Sequence, residues 1–316
     1  MTIDHLLREI ALNNRSGAAE ILACAAQLFE LLAVHADDAT TISQARRATI
    51  EACAGLVRAQ PCMAPLINLA NAVISATTSA TSPTSAPDVL NSAAGAAREF
   101  NDRCRLAAAA AAAHASGLIR DGARILTHSR SSTILSALIT AHNAGTRFAV
   151  IATESRPLLE GRTLAEELGS KGLGVTLIAD AAAASVMENV TCVLFGADRV
   201  TPLALVNKIG TRLIALAAEE QRVPAYAVAD SSKFFSPPDP RVFVETGRTP
   251  DELWPNAPAG SLVLNRYFEE TYLHHFTAII TEEGVLSPED ARRHAEAAVV
   301  CRPLATALNV AQETGS

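Results

Sequence analysis

The nine residues from Arg124 to Ser132, Arg-Ile-Leu-Thr-His-Ser-Arg-Ser-Ser, mark the point where the character of this sequence changes. The run Ile125-Leu126-Thr127 predicts a short buried strand. The serines that follow predict the start of a helix, because serine favours the N-terminal cap. From here on, short apolar runs alternate with helical patterns, and this alternation predicts an α/β fold with a parallel sheet covered on both faces.

The same alternation sets out the elements of the second part of the chain. The predicted strands are Arg124–Thr127, Arg147–Ala152, Gly174–Ala179, Cys192–Gly196, Ala225–Ala229 and Thr277–Ile280. The predicted helices are 131–144, 162–171, 181–188, 207–221 and 288–300.

The part before this point has a helical pattern throughout. The predicted helices are 17–35, 43–58, 63–76 and about 89–120, and apolar side chains recur in them at helical spacing. A Ser/Thr/Pro-rich segment, Thr77–Pro87, predicts a loop. We therefore expect a helical N-terminal domain over 1–118 and a sheet domain over 119–316.

Composition excludes several classes of protein. The net charge is -7 and no run of Lys or Arg stands out, so we expect no nucleic-acid partner. The six cysteines contain no CxxC pair, which argues against a structural zinc site, and we expect no metal and no cofactor. Met1–Glu9 lacks a signal-peptide core, and the apolar run Ala107–Ala113 is too short to span a membrane. A cytoplasmic protein without a membrane partner is expected.

Polar side chains follow each predicted strand. In open parallel sheets ligands bind beyond the carboxyl ends of the strands, so these residues are the candidates for a binding site. Helix capping alone explains single Ser or Asp residues but explains less well the basic residues that follow several of the predicted strands. The candidates for binding are His128, Arg130, Ser131, Ser132, Glu154, Arg156, Asp180, Arg199, Asn207 and Lys208.

The segment Ser129–Ser132 predicts an anion site, because it opens a helix whose free N–H groups and dipole favour negative charge. Ordinary capping remains an alternative. The sequence contains no GxGxxG, GxxxxGK[ST] or GxSxG motif, so a dinucleotide fingerprint, a P-loop and a hydrolase elbow are all missing. His128 is the best imidazole candidate, but nothing marks a catalytic triad.

Asp198 and Lys208 are the candidates for proton transfer and for charge. Asp198 follows an apolar strand, where partial burial can raise the pKa of a carboxyl and suit it to proton transfer. A structural pair with Arg199 is the alternative. Lys208, which we expect at a helix start, can pair with Asp198 or with a phosphate.

Six runs, taken in their order and spacing, resemble one family. That family comprises the alpha, beta and delta regulatory subunits of eukaryotic translation initiation factor 2B with two isomerase relatives, ribose-1,5-bisphosphate isomerase and methylthioribose-1-phosphate isomerase. The runs are Ile125–Ser129, Thr153–Pro157 with Gly161 following, Ala179–Ala182, Gly196–Val200, Asn207–Thr211 and Ala278–Glu282. The resemblance implies a helical N-terminal part followed by a Rossmann-like domain, through which such proteins form homodimers or higher oligomers.

The resemblance also implies roles, and the chain departs from some of them. The isomerases carry a catalytic Cys where this chain has Ser129, paired with an Asp that is retained here as Asp198. They hold phosphate with two arginines whose positions are Ser16 and Gln60 in this chain, with Arg15 beside the first. A thiol titrates nearer neutral pH than a hydroxyl does, so loss of the Cys weakens the isomerase hypothesis.

Two functions therefore stay open. The favoured one is an initiation factor 2B-like regulatory or ligand-sensing protein with a pocket for a phosphorylated sugar or nucleotide. The alternative is an aldose–ketose isomerase of a pentose 1-phosphate, with Asp198 and Ser129 as catalytic residues. Whether the chain is an enzyme is left undecided by the sequence.

Overall fold

The computed structural model of this protein describes residues 2–14, 16–34, 41–78, 84–237 and 247–308. Its helices are α1 (Ile3–Leu12), α2 (Ala18–Val34), α3 (Ile42–Ala59), α4 (Ala64–Thr78), α5 (Ala86–Ser116), α6 (Ser132–Asn143), α7 (Glu160–Ser170), α8 (Ala183–Val186), α9 (Thr211–Glu220), α10 (Pro288–Ala297) and α11 (Arg302–Ala307). In the described residues, none of these helices has the length and apolar character needed to cross a membrane.

The strands form two sheets. They are β1 (Arg124–Thr127), β2 (Ala149–Thr153), β3 (Val175–Ile178), β4 (Cys192–Phe195), β5 (Arg199–Val200), β6 (Ala204–Lys208), β7 (Ala225–Val228), β8 (Phe268–Tyr272), β9 (Ala278–Thr281) and β10 (Gly284–Leu286). The larger sheet has the order β10-β9-β7-β4-β1-β2-β3, and only its edge strand β10 runs antiparallel. The smaller sheet is antiparallel, in the order β5-β6-β8.

The central strands of the larger sheet are buried on both faces, as the sequence predicts, while the edge strands β3 and β10 are partly exposed. Ile125 and Val150 pack with α6 and α7 in one apolar cluster. Residues at the alternate positions of the strands, such as Leu126 in β1 and its partner Val193 in β4, point to the opposite face and are also fully buried. All six predicted strands are present, and the parallel α/β fold behind a helical N-terminal part is confirmed.

Contacts divide the chain into two compact units. The first comprises Met1–Leu106, Phe235–Val244 and Glu296–Ser316, and the second comprises Ala107–Phe234 and Glu245–Ala295. This division differs from the predicted domains 1–118 and 119–316, because it falls inside α5 and assigns residues 296–308 to the helical unit. The reason is apolar packing: Phe235, Leu304 and Ala305 belong to the core formed by α1–α5.

The predicted helix 207–221 begins too early. Asn207 and Lys208 lie in β6, which pairs with both β5 and β8, and α9 starts only at Thr211. The expectation was wrong because β6 is stabilised by pairing with β8, far along the chain, and the local pattern contains no sign of that partner. In the predicted loop Thr77–Pro87, the first and last residues belong to α4 and α5, and residues 79–83 lie outside the described part.

Gly161, in the first turn of α7, is required by close packing against β2. A Cβ atom at this position would lie 1.7 Å from the Thr153 carbonyl oxygen. This contact brings the start of α7 directly against the carboxyl end of β2, and only a residue without a side chain allows it.

We expect Gly161→Ala to lower the free energy of unfolding by about 1–3 kcal/mol or more, because backbone must move to relieve the clash. The matched control is Gly169→Ala in the same helix, where an added Cβ meets nothing within 4 Å. The control should stabilise the protein by about 0.5–1 kcal/mol through helix propensity. Urea denaturation of both variants checks this; equal stabilities would contradict it.

Candidate functional site

The candidate site lies beyond the carboxyl ends of β1 and β4. These neighbouring strands stand where the order of the sheet reverses, with β2 and β3 on one side and β7 and β9 on the other. Such a reversal leaves a crevice in which ligands of parallel sheets bind. The two loops here touch closely, since a Cβ on Gly196 would lie 2.6 Å from the Ser131 Cβ. Ser129 and Asp198 therefore belong to adjoining loops on one rim.

A network of hydrogen bonds fixes the turns after β1 and β2. Ser129 and Ser155 both adopt left-handed backbone conformations, each with a φ of 64°. The Ser129 amide donates to the Ser155 hydroxyl at 2.7 Å. Asp180, after β3, accepts from the amides of Ser155 and Arg156, both at 2.7 Å. Asp180 therefore holds the β2 turn in place, and both of its carboxylate oxygens are engaged in doing so.

His128 is a buried, neutral part of the same network. Its Nε2 atom lies 2.8 Å from the Ile209 carbonyl, which can only accept, so Nε2 carries the hydrogen. Its Nδ1 atom lies 2.5 Å from the Thr153 hydroxyl and accepts from it. Burial lowers the pKa of His128, with the Ile209 carbonyl and Asp180 opposing the shift and Lys208 adding to it. Because both ring nitrogens are engaged, His128 positions the loops and has no free nitrogen for proton transfer.

Lys208 is a buried cation at the end of β6. Its side chain is 5% exposed and its ammonium forms an ion pair with the carboxylate of Glu160 on α7. The ammonium also lies 5.0 Å from the ring centre of Tyr267 and 5.4 Å from that of Phe268. Aromatic faces and a carboxylate together stabilise a cation that is removed from water.

Asp198 stands next to these charges without a direct partner. Its side chain is half-buried and forms no hydrogen bond or ion pair with any residue in the described ranges. Burial raises the pKa of the Asp198 carboxyl. The positive charges of Lys233, Lys208 and Arg199 oppose this shift, while the negative charge of Glu160 adds to it. A carboxyl with a raised pKa and no internal partner is suited to accepting and releasing a proton.

Two predicted binding residues are held in ion pairs on the rim. The Arg130 guanidinium binds both carboxylate oxygens of Glu167, with its Nε atom 3.0 Å from each. Glu154 accepts from Arg162 at 2.9 Å. These pairs connect the β1 and β2 loops to α7. The charges of Arg130 and Glu154 are therefore partly neutralised by other side chains of the protein.

Three more of the predicted binding residues contact other residues of the chain. Asn207 donates from Nδ2 to the Thr211 hydroxyl at 3.0 Å. The exposed Arg156 guanidinium donates to the Leu253 carbonyl at 3.3 Å. Buried Arg199 lies 3.8 Å from Glu270. Their roles toward a ligand remain predictions.

The serines after β1 behave as the start of a helix should. Ser131 is the N-cap of α6, and its hydroxyl accepts from the Ile134 amide at 3.4 Å, while Ser132 is the first helical residue. The Ser129 hydroxyl has no hydrogen-bond partner among the described residues. The predicted anion site at this helix start stays a prediction.

The phosphate positions expected in the helical unit are only partly visible. Arg15 lies outside the described residues. Gln60 is buried and donates to the carbonyls of Ile10 and Asn13 at 2.9 and 3.0 Å. Its amide thus fixes the end of α1.

The sequence analysis missed Glu160, Lys233 and Tyr267 as members of the site. Lys233 follows β7, and its position at a strand end was the available signal. No local signal marks Glu160 or Tyr267, because they reach Lys208 from α7 and from the segment before β8. No group of three or more His, Cys, Asp or Glu side chains suited to a metal occurs within the described residues.

Comparison with known proteins relates this chain to one family. Residues 14–288 match the model of the initiation factor 2 subunit family. A solved structure of the translation initiation factor eIF-2B from Pyrococcus horikoshii superimposes with a TM-score of 0.78 at 31% identity, covering 90% of this chain and 97% of that one.

Two curated relatives carry different names. The ribose 1,5-bisphosphate isomerase of Archaeoglobus fulgidus is 42% identical over 54% of this chain and 56% of its own length. A putative translation initiation factor eIF-2B subunit 2-like protein of Pyrococcus horikoshii is 36% identical over 72% of this chain and 78% of its own length. The similarity thus spans little more than half of the isomerase.

The neutral state of His128 predicts a pH-dependent stability. Its folded pKa lies below the unfolded value of 6.5, so below that pH the unfolded chain binds a proton that the folded protein excludes. Stability should therefore fall as pH drops below 6.5, by up to about 1.4 kcal/mol per pH unit from this residue.

In His128→Asn this contribution disappears, so the stability gap between wild type and variant should narrow from pH 6.5 to 5.5. The control is His5→Asn, at a side chain that is 59% exposed, and it should follow the wild type. Urea denaturation at several pH values measures the effect; a gap independent of pH would contradict a neutral His128.

Proposed function

The chain belongs to the initiation factor 2 subunit family, and on that premise we propose that it is an aldose–ketose isomerase acting on a pentose 1-phosphate. The observation that carries the proposal is Asp198, a carboxyl of raised pKa that has no direct partner among the described residues and lies near buried Lys208. The relative named ribose 1,5-bisphosphate isomerase supports the same reaction class.

The reaction needs only proton transfers. Opening of the sugar ring breaks the bond between C1 and the ring oxygen, and that oxygen gains a proton. C2 and its hydroxyl each lose a hydrogen to form the ketone, and C1 gains one. Two hydrogens are lost and two are gained, so no external oxidant or reductant is required. An acid–base group near C1 and C2 and a cationic pocket are sufficient in principle.

The described residues supply these parts. Asp198 exchanges the proton, and its raised pKa brings the carboxyl closer to the pH at which it can act in both directions. The Ser129 hydroxyl, free of protein partners in the described part, binds a reacting oxygen. Lys208 provides positive charge, and the N-terminus of α6 receives the phosphate through its unpaired amides.

Asp198→Asn should abolish formation of ketose from ribose 1,5-bisphosphate or methylthioribose 1-phosphate, because the amide cannot exchange a proton. A loss of about 100- to 10,000-fold corresponds to removal of general acid–base catalysis. The control is Asp121→Asn, an exposed carboxylate that pairs with Arg147. The assay follows ketose directly. A wild-type protein that converts neither compound would reject the proposal.

Ser129→Cys should raise turnover, because a thiol exchanges protons near neutral pH far more readily than a hydroxyl does. The expected gain is on the order of 100-fold, at the low end of general acid–base effects. Ser136→Cys adds a thiol at an exposed position in the interior of α6, outside the candidate site, and should leave turnover unchanged. If Ser129→Cys is no faster than wild type, position 129 does not take part in proton transfer.

The second candidate is a regulatory protein that binds a sugar phosphate or nucleotide without converting it. Ser129 favours it, since the resemblance places a catalytic Cys there in the isomerases, and so do the relatives named eIF-2B. In this case ribose 1,5-bisphosphate or AMP would stabilise the fold by about 2.7 kcal/mol at a hundredfold excess over Kd, with no ketose formed. Thermal denaturation with a parallel assay for ketose separates the two functions.

Assembly and location follow from the resemblance as expectations. We expect a cytoplasmic homodimer or higher oligomer, in keeping with the family, and a small phosphorylated ligand as the partner of the site.

A further inference from the structure

Lys208 has a role in the proposed reaction, but Glu160 on α7, with which it forms a buried ion pair, has none. The ammonium of Lys208 binds Oε1 of Glu160, and the two side chains are 5% and 13% exposed. The other carboxylate oxygen, Oε2 of Glu160, is buried and has no hydrogen-bond partner in the part of the chain that the structure describes. A carboxylate that is buried with one oxygen unsatisfied costs free energy.

Stability alone does not explain this pair. Replacing a buried ion pair by apolar side chains of similar volume is often neutral or stabilising, so a stable fold needs no charges here. The surroundings of Lys208 hold its side chain firmly. The rings of Tyr267 and Phe268 lie on it, and the Tyr267 hydroxyl donates to Glu252 at 2.5 Å. The pair therefore places an ammonium group at a defined point.

That point lies beside Asp198. The charged groups that act on the Asp198 carboxyl are Lys233 after β7, Lys208 at the end of β6, Glu160 on α7 and Arg199 in β5. Lys208 is close enough to influence Asp198, yet its direct ion pair is with Glu160. Two carboxylates thus stand near one ammonium, and only one of them binds it.

We propose that Glu160 is a positioning residue, whose carboxylate holds the Lys208 ammonium away from Asp198 so that Asp198 keeps an unpaired carboxyl for the ligand. The catalytic meaning of this arrangement rests on the proposed isomerase function. The arrangement itself is a property of the protein without ligand.

The physical consequence is that the carboxylates of Glu160 and Asp198 compete for the Lys208 ammonium. Without Glu160, the Lys208 ammonium is free to pair with Asp198, whose carboxyl already responds to its charge. A direct ion pair would stabilise the ionised form of Asp198 and lower the pH at which it takes up a proton. It would also occupy the oxygen that must face the reacting carbon. Glu160 prevents both effects as long as it keeps its hold on Lys208.

Three variants test this. Glu160→Ala removes both the charge and the contact with Lys208. Glu160→Gln removes the charge but keeps an oxygen that can accept from the ammonium. Glu166→Gln is the matched control, since Glu166 is exposed on the same helix and its replacement removes the same charge.

The readout is the titration of Asp198 in the protein without ligand. Carbon-13 NMR of protein labelled at the Asp carboxyl follows each signal with pH, and the Asp198 signal is the one that is missing in Asp198→Asn. Thermal denaturation confirms that each variant is folded.

In Glu160→Ala the midpoint of the Asp198 titration should fall by about one pH unit or more, as expected for a new ion pair. In Glu160→Gln it should fall less, because the amide oxygen still holds Lys208. Glu166→Gln should leave the midpoint unchanged. If the protein turns over either sugar phosphate, the pH profile of kcat/KM should move in the same direction.

An unchanged midpoint in Glu160→Ala would overturn the proposal. Equal falls in Glu160→Ala and Glu160→Gln would also overturn it, because Glu160 would then act through its charge alone. The absence of turnover with both sugar phosphates contradicts the isomerase function but leaves the titration result standing, so the two failures are distinguishable.

Discussion

The pairing of β1 with a parallel neighbour on each edge is the constraint on which the rest of the structure depends. Leu126 aligns with Ile151 on β2 and with Val193 on β4, so the three strands end at the same level. Three loops rich in polar residues are thereby brought together along one rim. Since β1 forms hydrogen bonds with both neighbours, its register cannot shift without breaking its pairing with β2 and with β4.

Most polar groups on this rim serve to build it. Asp180 holds two amides of the β2 turn, His128 links that turn to the end of β6, and Arg130 ties the β1 loop to α7. The left-handed conformations of Ser129 and Ser155 each cost about 1 kcal/mol or more, and these bonds offset that cost. A rim that is fixed in this way can present a few groups in a defined geometry. The Ser129 hydroxyl and the Asp198 carboxyl are among the groups that it leaves without hydrogen-bond or ion-pair partners in the described residues.

Charge acts locally in this protein. The chain as a whole carries a net charge of -7, which by itself would repel a phosphorylated ligand. At the rim, however, Lys208, Lys233 and Arg199 surround Asp198, and the carboxylates of Glu160 and Glu270 balance part of their charge. Removal from water strengthens each of these interactions, so small changes in their geometry alter the titration of Asp198. The site is therefore governed by the arrangement of a few groups, independent of the sign of the total charge.

The sequence by itself determined the parallel sheet, because the apolar run of each central strand and the polar residues that follow it are local features. It also marked Asp198 and Ser129, since strand ends are where such sheets bind ligands. Only the tertiary structure decided that Lys208 lies in a strand and is held by Glu160. Its backbone pairs with a strand far along the chain, and its charge meets a carboxylate on a different element. Contacts of this kind depend on which distant segments are brought together, and no local pattern of residues records that.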